Sequence, residues 1–106
     1  MLYKSTRGKA EKVSFQEVLF SGLAADGGLF IPESLPKFDS TFINKFSEMN
    51  YEEVAFAILK PFIGGFFSDQ ELQRMLDDAY SEFRKLDKCD IVSLSENHKI
   101  LELFHG

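Results

Sequence analysis

Cysteine occurs once in the 106 residues, at Cys89, so no intrachain disulfide can form and zinc sites built from several cysteines are excluded. That usage fits a reducing compartment, and a cytoplasmic location is expected. Histidine occurs twice, at His98 and His105, with no HExxH pattern and no evident third ligand, so no metal site is expected. His98 reads as a solvated turn residue and Cys89 as an inert, partly buried thiol. No apolar run reaches the length of about 18 residues that crosses a bilayer. The opening residues Met1 to Gly8 lack the apolar stretch of a signal peptide, so neither membrane insertion nor export is expected. Lysine and arginine number 12 against 17 acidic residues, for a formal net charge of −5. Nucleic acid and anionic membrane are poor partners for such a chain, because neutralising phosphate takes clustered basic residues.

Tryptophan is also missing, and 12 phenylalanines take its place in the aromatic content. A Phe-rich core or docking face is therefore expected, since each buried ring removes a large apolar area from water. With 44% hydrophobic and 27% charged residues the chain has the composition of one globular domain, residues 1–106. A chain of this length buries only about two-thirds of its unfolded surface, enough for a modest core but not for a large catalytic cleft.

The periodicity predicts an α+β domain, mainly helical, with short strands at the N-terminus and around 29–31 and a hairpin at the C-terminal end. A strand is expected at Leu2-Tyr3-Lys4. Ser14-x-x-Glu17 and Ser68-x-x-Glu71 have the spacing of capping boxes, in which the serine side chain and the glutamate each take a backbone N–H from the other's end of the first turn. The first opens a short helix with Phe15, Val18 and Leu19 on one face, ending at Gly22. The second opens the clearest helix, with Leu72, Met75, Leu76, Ala79, Phe83 and Leu86 at spacings of three and four. Asp39 is expected to cap another helix with Phe42, Ile43, Phe46 and Met49 on its buried stripe. Asn50-x-x-Glu53 starts a third, in which Pro61 should interrupt the ladder ahead of Gly64-Gly65. Ile91–Leu94 and Ile100–Phe104 read as strands joined around Glu96-Asn97-His98-Lys99.

Two short segments invite chemistry. Asp26-Gly27-Gly28 is a turn signal that lacks the spacing of a phosphate-binding or dinucleotide loop, and it reads as a turn. Ser5-Thr6-Arg7-Gly8 sets a guanidinium beside two hydroxyls and a glycine, a donor set suited to phosphate or carboxylate. Composition alone leaves both an anion-binding and a packing role open for it. Asp77 and Asp78 sit on the polar face of a helix and serve solvation.

Three segments taken in order resemble the N-terminal part of threonine synthase, in the bacterial and fungal subgroup that includes the threonine synthase-like proteins of animals. They are Tyr3-x-Ser5-Thr6-Arg7-Gly8; Val13-Ser14-Phe15 through Gly22 to Asp26-Gly27-Gly28-Leu29-Phe30-Ile31-Pro32 with Leu35-Pro36; and Leu101-Glu102-Leu103-Phe104-His105-Gly106. In that family the last segment leads into the lysine that forms a Schiff base with pyridoxal 5'-phosphate.

The resemblance therefore implies a domain fragment whose catalytic residues lie beyond Gly106, which binds no cofactor by itself and is inactive alone. The parent it implies is a carbon-oxygen lyase that uses pyridoxal phosphate to convert O-phospho-L-homoserine and water to L-threonine and phosphate. The partners it implies are the missing catalytic domain of the same polypeptide and a small phosphorylated amino acid. Ser5, Thr6 and Arg7 would line the substrate site, or else pack this domain on the catalytic one. His105 and Gly106 would approach the cofactor loop. Two alternatives stand beside it: a threonine synthase-like phospho-lyase, and a stand-alone module that binds another protein through its Phe-rich face. A face made to be covered by the rest of an enzyme should leave apolar surface exposed.

Overall fold

The computed structural model describes residues 1–81, 83 and 90–103, and the positions of Leu86, Cys89, Phe104, His105 and Gly106 lie outside them. Among the described residues the fold is the expected α+β arrangement, built on two small antiparallel sheets and four α-helices. Strand β1 (Leu2–Ser5) is the centre of the first sheet, flanked by β2 (Val13–Ser14) and β3 (Phe30–Pro32). Tyr3 faces Val13 on one side and Pro32 on the other, and Ser5 faces Phe30. Pro32 is tolerated because β3 is an edge strand. Along β1 the side chains alternate, Tyr3 and Ser5 inward and Leu2 and Lys4 outward, the period of two that a half-covered strand requires.

Both serine capping boxes form. In the first, Ser14 Oγ accepts from Glu17 N–H and the Glu17 carboxylate accepts from Ser14 N–H, opening helix α1 (Phe15–Ser21), which Gly22 closes at φ +69°. In the second, Ser68 and Glu71 do the same for α4 (Asp69–Ser81). Leu72 and Leu76 are buried on α4, whereas Met75 and Ala79 of the expected stripe are exposed, so the covered face is narrower than the periodicity predicts.

Three expectations need correction. The helix capped by Asp39 is split into α2 (Ser40–Asn44) and a 3₁₀ turn (Lys45–Glu48). Lys45 N–H already bonds to Phe42 O, three residues back, and Ser47 Oγ donates to Asn44 O, the local competition that hydroxyl side chains offer a helix. Ile43, expected on the buried stripe, is exposed. Pro61 does not interrupt its helix either. Helix α3 (Tyr51–Ile63) runs through it and stops at Gly64, at φ +69°, whose N–H bonds to Lys60 O. Only one helical donor is lost at a proline so near the end. Finally, His98 is not a turn residue but the first residue of β5 (His98–Leu101), with Nδ1 2.9 Å from Ser95 Oγ of β4 (Ile91–Ser95). The hairpin turns at Glu96-Asn97, and the ladder absorbs this with an irregularity between Ser93 and Ser95.

Phenylalanine builds a layer more than a core. Ten of the eleven described phenylalanines are half-buried and Phe20 is 77% exposed, while the buried apolar residues are Tyr3, Ala24, Leu72 and Leu76. The rings meet in small groups: Tyr3, Phe15, Phe66 and Phe67 in a chain, and Phe38, Phe42 and Phe46 in another. Every residue of β4 and β5 is exposed, including Ile91, Leu94, Ile100 and Leu101. The accessible surface is 8229 Å², against about 6,000 Å² for a compact monomer of 12.1 kDa. The radius of gyration is 16.7 Å, against about 13 Å for a compact chain of this length.

One side chain ties the sheet to the helices. The Tyr3 hydroxyl donates to Phe62 O at 2.8 Å, satisfying a carbonyl in the last turn of α3 that has no helical partner. Burial raises the Tyr3 pKa, in keeping with a phenol held neutral as a donor. Tyr3→Phe should keep the ring contacts but orphan that carbonyl, lowering stability by about 1–2 kcal/mol in urea unfolding with an unchanged m-value.

Candidate functional site

The two segments that invited chemistry meet in space. Ser5, at the end of β1, is only 4% exposed, and its Oγ donates to Asp26 Oδ1 at 2.6 Å while accepting from Arg7 N–H at 3.1 Å. Asp26 Oδ1 also accepts from Gly28 N–H at 3.0 Å, and Oδ2 accepts from Lys9 N–H and Ala10 N–H at 3.0 and 3.1 Å. One carboxylate therefore takes one hydroxyl and three backbone donors. The turn holds that carboxylate in place: Gly27 N–H bonds to Ala24 O, and Ala24 N–H to Gly28 O. Thr6 bridges to Leu29, the residue before β3, in both directions, its N–H donating to Leu29 O at 2.8 Å and its Oγ1 accepting from Leu29 N–H at 3.0 Å.

Both glycines of the turn are required by geometry. Gly27 has φ +76°, and a Cβ there would lie 3.1 Å from Arg7 Nη1. A Cβ at Gly28 would lie 2.1 Å from Ser5 Oγ, closer than any real contact. The Asp26-Gly27-Gly28 turn is thus a turn, as read, with a second purpose: it is the seat of the Ser5–Ala10 loop. Sequence reasoning treated the two segments separately and missed Asp26, although an aspartate ahead of two glycines was the available signal.

Arg7 is exposed, and its Nη1 donates to Asp26 O at 3.0 Å. It forms no ion pair among the described residues, in contrast to Lys12 with Glu33 and Lys60 with Asp69. A guanidinium with five N–H groups, one of them spent on a carbonyl, retains donors for a planar or tetrahedral anion. Of the three expected site residues, the structure brings all into one turn. Ser5 faces inward and supports; Thr6 and Arg7 lie at the surface. No group of three or more His, Cys, Asp or Glu among the described residues is arranged to hold a metal, and no described helix is long and apolar enough to cross a membrane.

The electrostatics follow from the bonding. The Ser5 hydroxyl is the largest cause holding the Asp26 carboxyl below the usual aspartate value, partial burial opposes it, and the N–H groups of Gly28, Lys9 and Ala10 add to the lowering. Glu17 and Glu71 are lowered in the same way by their capping serines.

The family model described as "Threonine synthase N terminus" matches residues 2–80. A threonine synthase of Pseudomonas aeruginosa is 40% identical over the whole chain, which spans 23% of that protein. The threonine synthase-like 2 protein of Rattus norvegicus is 38% identical, again over the whole chain and 22% of its own length. A solved PLP-bound threonine synthase from Brucella melitensis superposes with a TM-score of 0.91 at 42% identity, over all of this chain and 23% of that one. The chain thus spans less than a quarter of the length of these relatives.

Two substitutions probe the site. Gly28→Ala should lower stability by about 1–3 kcal/mol through steric overlap with Ser5 Oγ, whereas Gly65→Ala, with open space around it, should stay within about 0.5 kcal/mol. Because Asp26 titrates lower in the folded state, it stabilises the fold above the unfolded aspartate value and loses that contribution as pH falls through its lowered value. Ser5→Ala removes the main cause, so the drop in urea midpoint below about pH 4 should become shallower than in the parent sequence.

Proposed function

The chain belongs to the threonine synthase N-terminus family, and from that premise we propose that it is the N-terminal domain of a threonine synthase, an enzyme converting O-phospho-L-homoserine and water to L-threonine and phosphate. The match over residues 2–80, which takes in the whole Ser5–Gly28 site, carries this reading. The exposed apolar hairpin and the large surface support a domain that packs against the rest of its polypeptide.

Pyridoxal phosphate, which the solved Brucella relative holds, supplies the electron sink for such a reaction. The described residues do not fit it. All seven described lysines are exposed, none in an enclosed cavity, and the anchoring lysine and phosphate cradle are assigned to the remainder of the polypeptide.

The part proposed for this chain is recognition of the anionic substrate. Thr6 and Arg7 line the substrate site, with Arg7 facing the phosphate, and the buried Ser5 backs the turn from inside. His105 and Gly106 lead toward the cofactor loop. A cytoplasmic location belongs to the same reading.

The second reading, a phospho-lyase of the threonine synthase-like kind, is favoured by the 38% identity to the rat threonine synthase-like 2 protein. The full-length protein, purified with pyridoxal phosphate and given O-phospho-L-homoserine, separates the two. Phosphate and threonine released in equal amounts support the synthase; phosphate without threonine supports the lyase; release of neither overturns both.

A further inference from the structure

Arg7 takes its position from the Asp26 turn and not from an ion pair of its own, and we infer that Asp26 is the positioning residue that presents Arg7 to the phosphate group of the substrate. The inference rests on the substrate-facing role proposed above for Arg7. Its evidence is the way the loop is closed. Ser5 at the loop's start and Lys9 and Ala10 at its end all donate to the same carboxylate, so Asp26 draws the two ends together with Arg7 between them. Gly8, at φ +70° with its N–H on Ser5 O, makes the tight return that this closure needs.

The same residue also meets the guanidinium. Asp26 O accepts from Arg7 Nη1 at 3.0 Å, and the bare backbone of Gly27 leaves room for the guanidinium beside it. The carboxylate itself is saturated by the four loop and turn donors and makes no ion pair with Arg7 among the described residues. The Arg7 charge is therefore oriented by a carbonyl without being neutralised by a carboxylate, and stays available to an anion. An asparagine at position 26 would present an NH₂ group to at least one of these donors, releasing one end of the loop while nearly preserving shape.

The test is a double-mutant cycle in the full-length enzyme with pyridoxal phosphate, using Arg7→Ala, Asp26→Asn and both together. KM for O-phospho-L-homoserine and inhibition by inorganic phosphate are measured beside thermal stability. Arg7→Ala should raise KM and the phosphate inhibition constant about tenfold or more, the scale of a lost charge-assisted contact. Asp26→Asn should raise both about tenfold with Arg7 present and less than about twofold in the Arg7→Ala background, although its loss of thermal stability is the same in both. An equal rise in both backgrounds, or none in either, overturns the positioning role and leaves Arg7's role intact. An unchanged KM in Arg7→Ala overturns the substrate-facing reading itself, and the inference with it. Should Asp26→Asn fail to fold, Lys9 and Ala10 still hold the carboxylate in Ser5→Ala, which removes one donor to Asp26 together with the acceptor of Arg7 N–H, and the same dependence on Arg7 decides.

Discussion

The Asp26 carboxylate accepts from Ser5, Lys9, Ala10 and Gly28, four donors drawn from three stretches of chain: the end of β1, the return of the following loop, and the turn before β3. A carboxylate removed partly from water is costly to leave unpaired, and here its oxygens are supplied by the chain itself. The register of β1 against β3 and the path of residues 5–10 therefore depend on one side chain. The two glycines beside it are the steric counterpart of that arrangement, since a side chain at Gly28 would occupy the space of the Ser5 hydroxyl.

The helical half is joined to this sheet by less. Tyr3 reaches the end of α3 through its hydroxyl and touches Phe15 through its ring, and Phe15 continues to Phe66. Half-buried rings at these junctions keep part of their apolar surface open to further contact, which is what a domain spanning less than a quarter of its relatives' length would be built to do. The hairpin β4–β5 carries this furthest, with apolar side chains exposed on both of its faces.

Much of this was legible in the sequence, for local reasons. Both serine capping boxes and the glycine stop at Gly22 are signals contained within a few residues, and they formed as expected; the C-terminal hairpin formed too, with its second strand starting at His98, two residues before the expected Ile100. What failed were inferences that needed neighbours. The sequence predicts a break at Pro61, yet a proline three residues before the stop at Gly64 costs only one donor in the helix's last turn. The spacing predicts one continuous helix with a buried stripe, but it tightens into a 3₁₀ turn where Ser47 bonds backward, and Ile43 stays exposed. In the site, Ser5, Thr6 and Arg7 were visible as a donor cluster, but Asp26 was not connected to them. A side chain 21 residues away leaves no periodic trace, and only the folded sheet brings it beneath the loop.

Sequence distance also ranks the two ties. Ser5 reaches Asp26 across 21 residues, whereas Tyr3 reaches Phe62 across 59. Closing the longer loop costs about 1 kcal/mol more chain entropy, and it is secured by a single neutral hydrogen bond and ring contacts, where the shorter one is secured by three donors on an anion, from Ser5, Lys9 and Ala10. A thermal fluctuation that parts α3 from β1 therefore has the lower cost, and it leaves the loop around Arg7 closed on its aspartate. The turn that carries Arg7 is thus insulated from breathing in the helical half of the same domain.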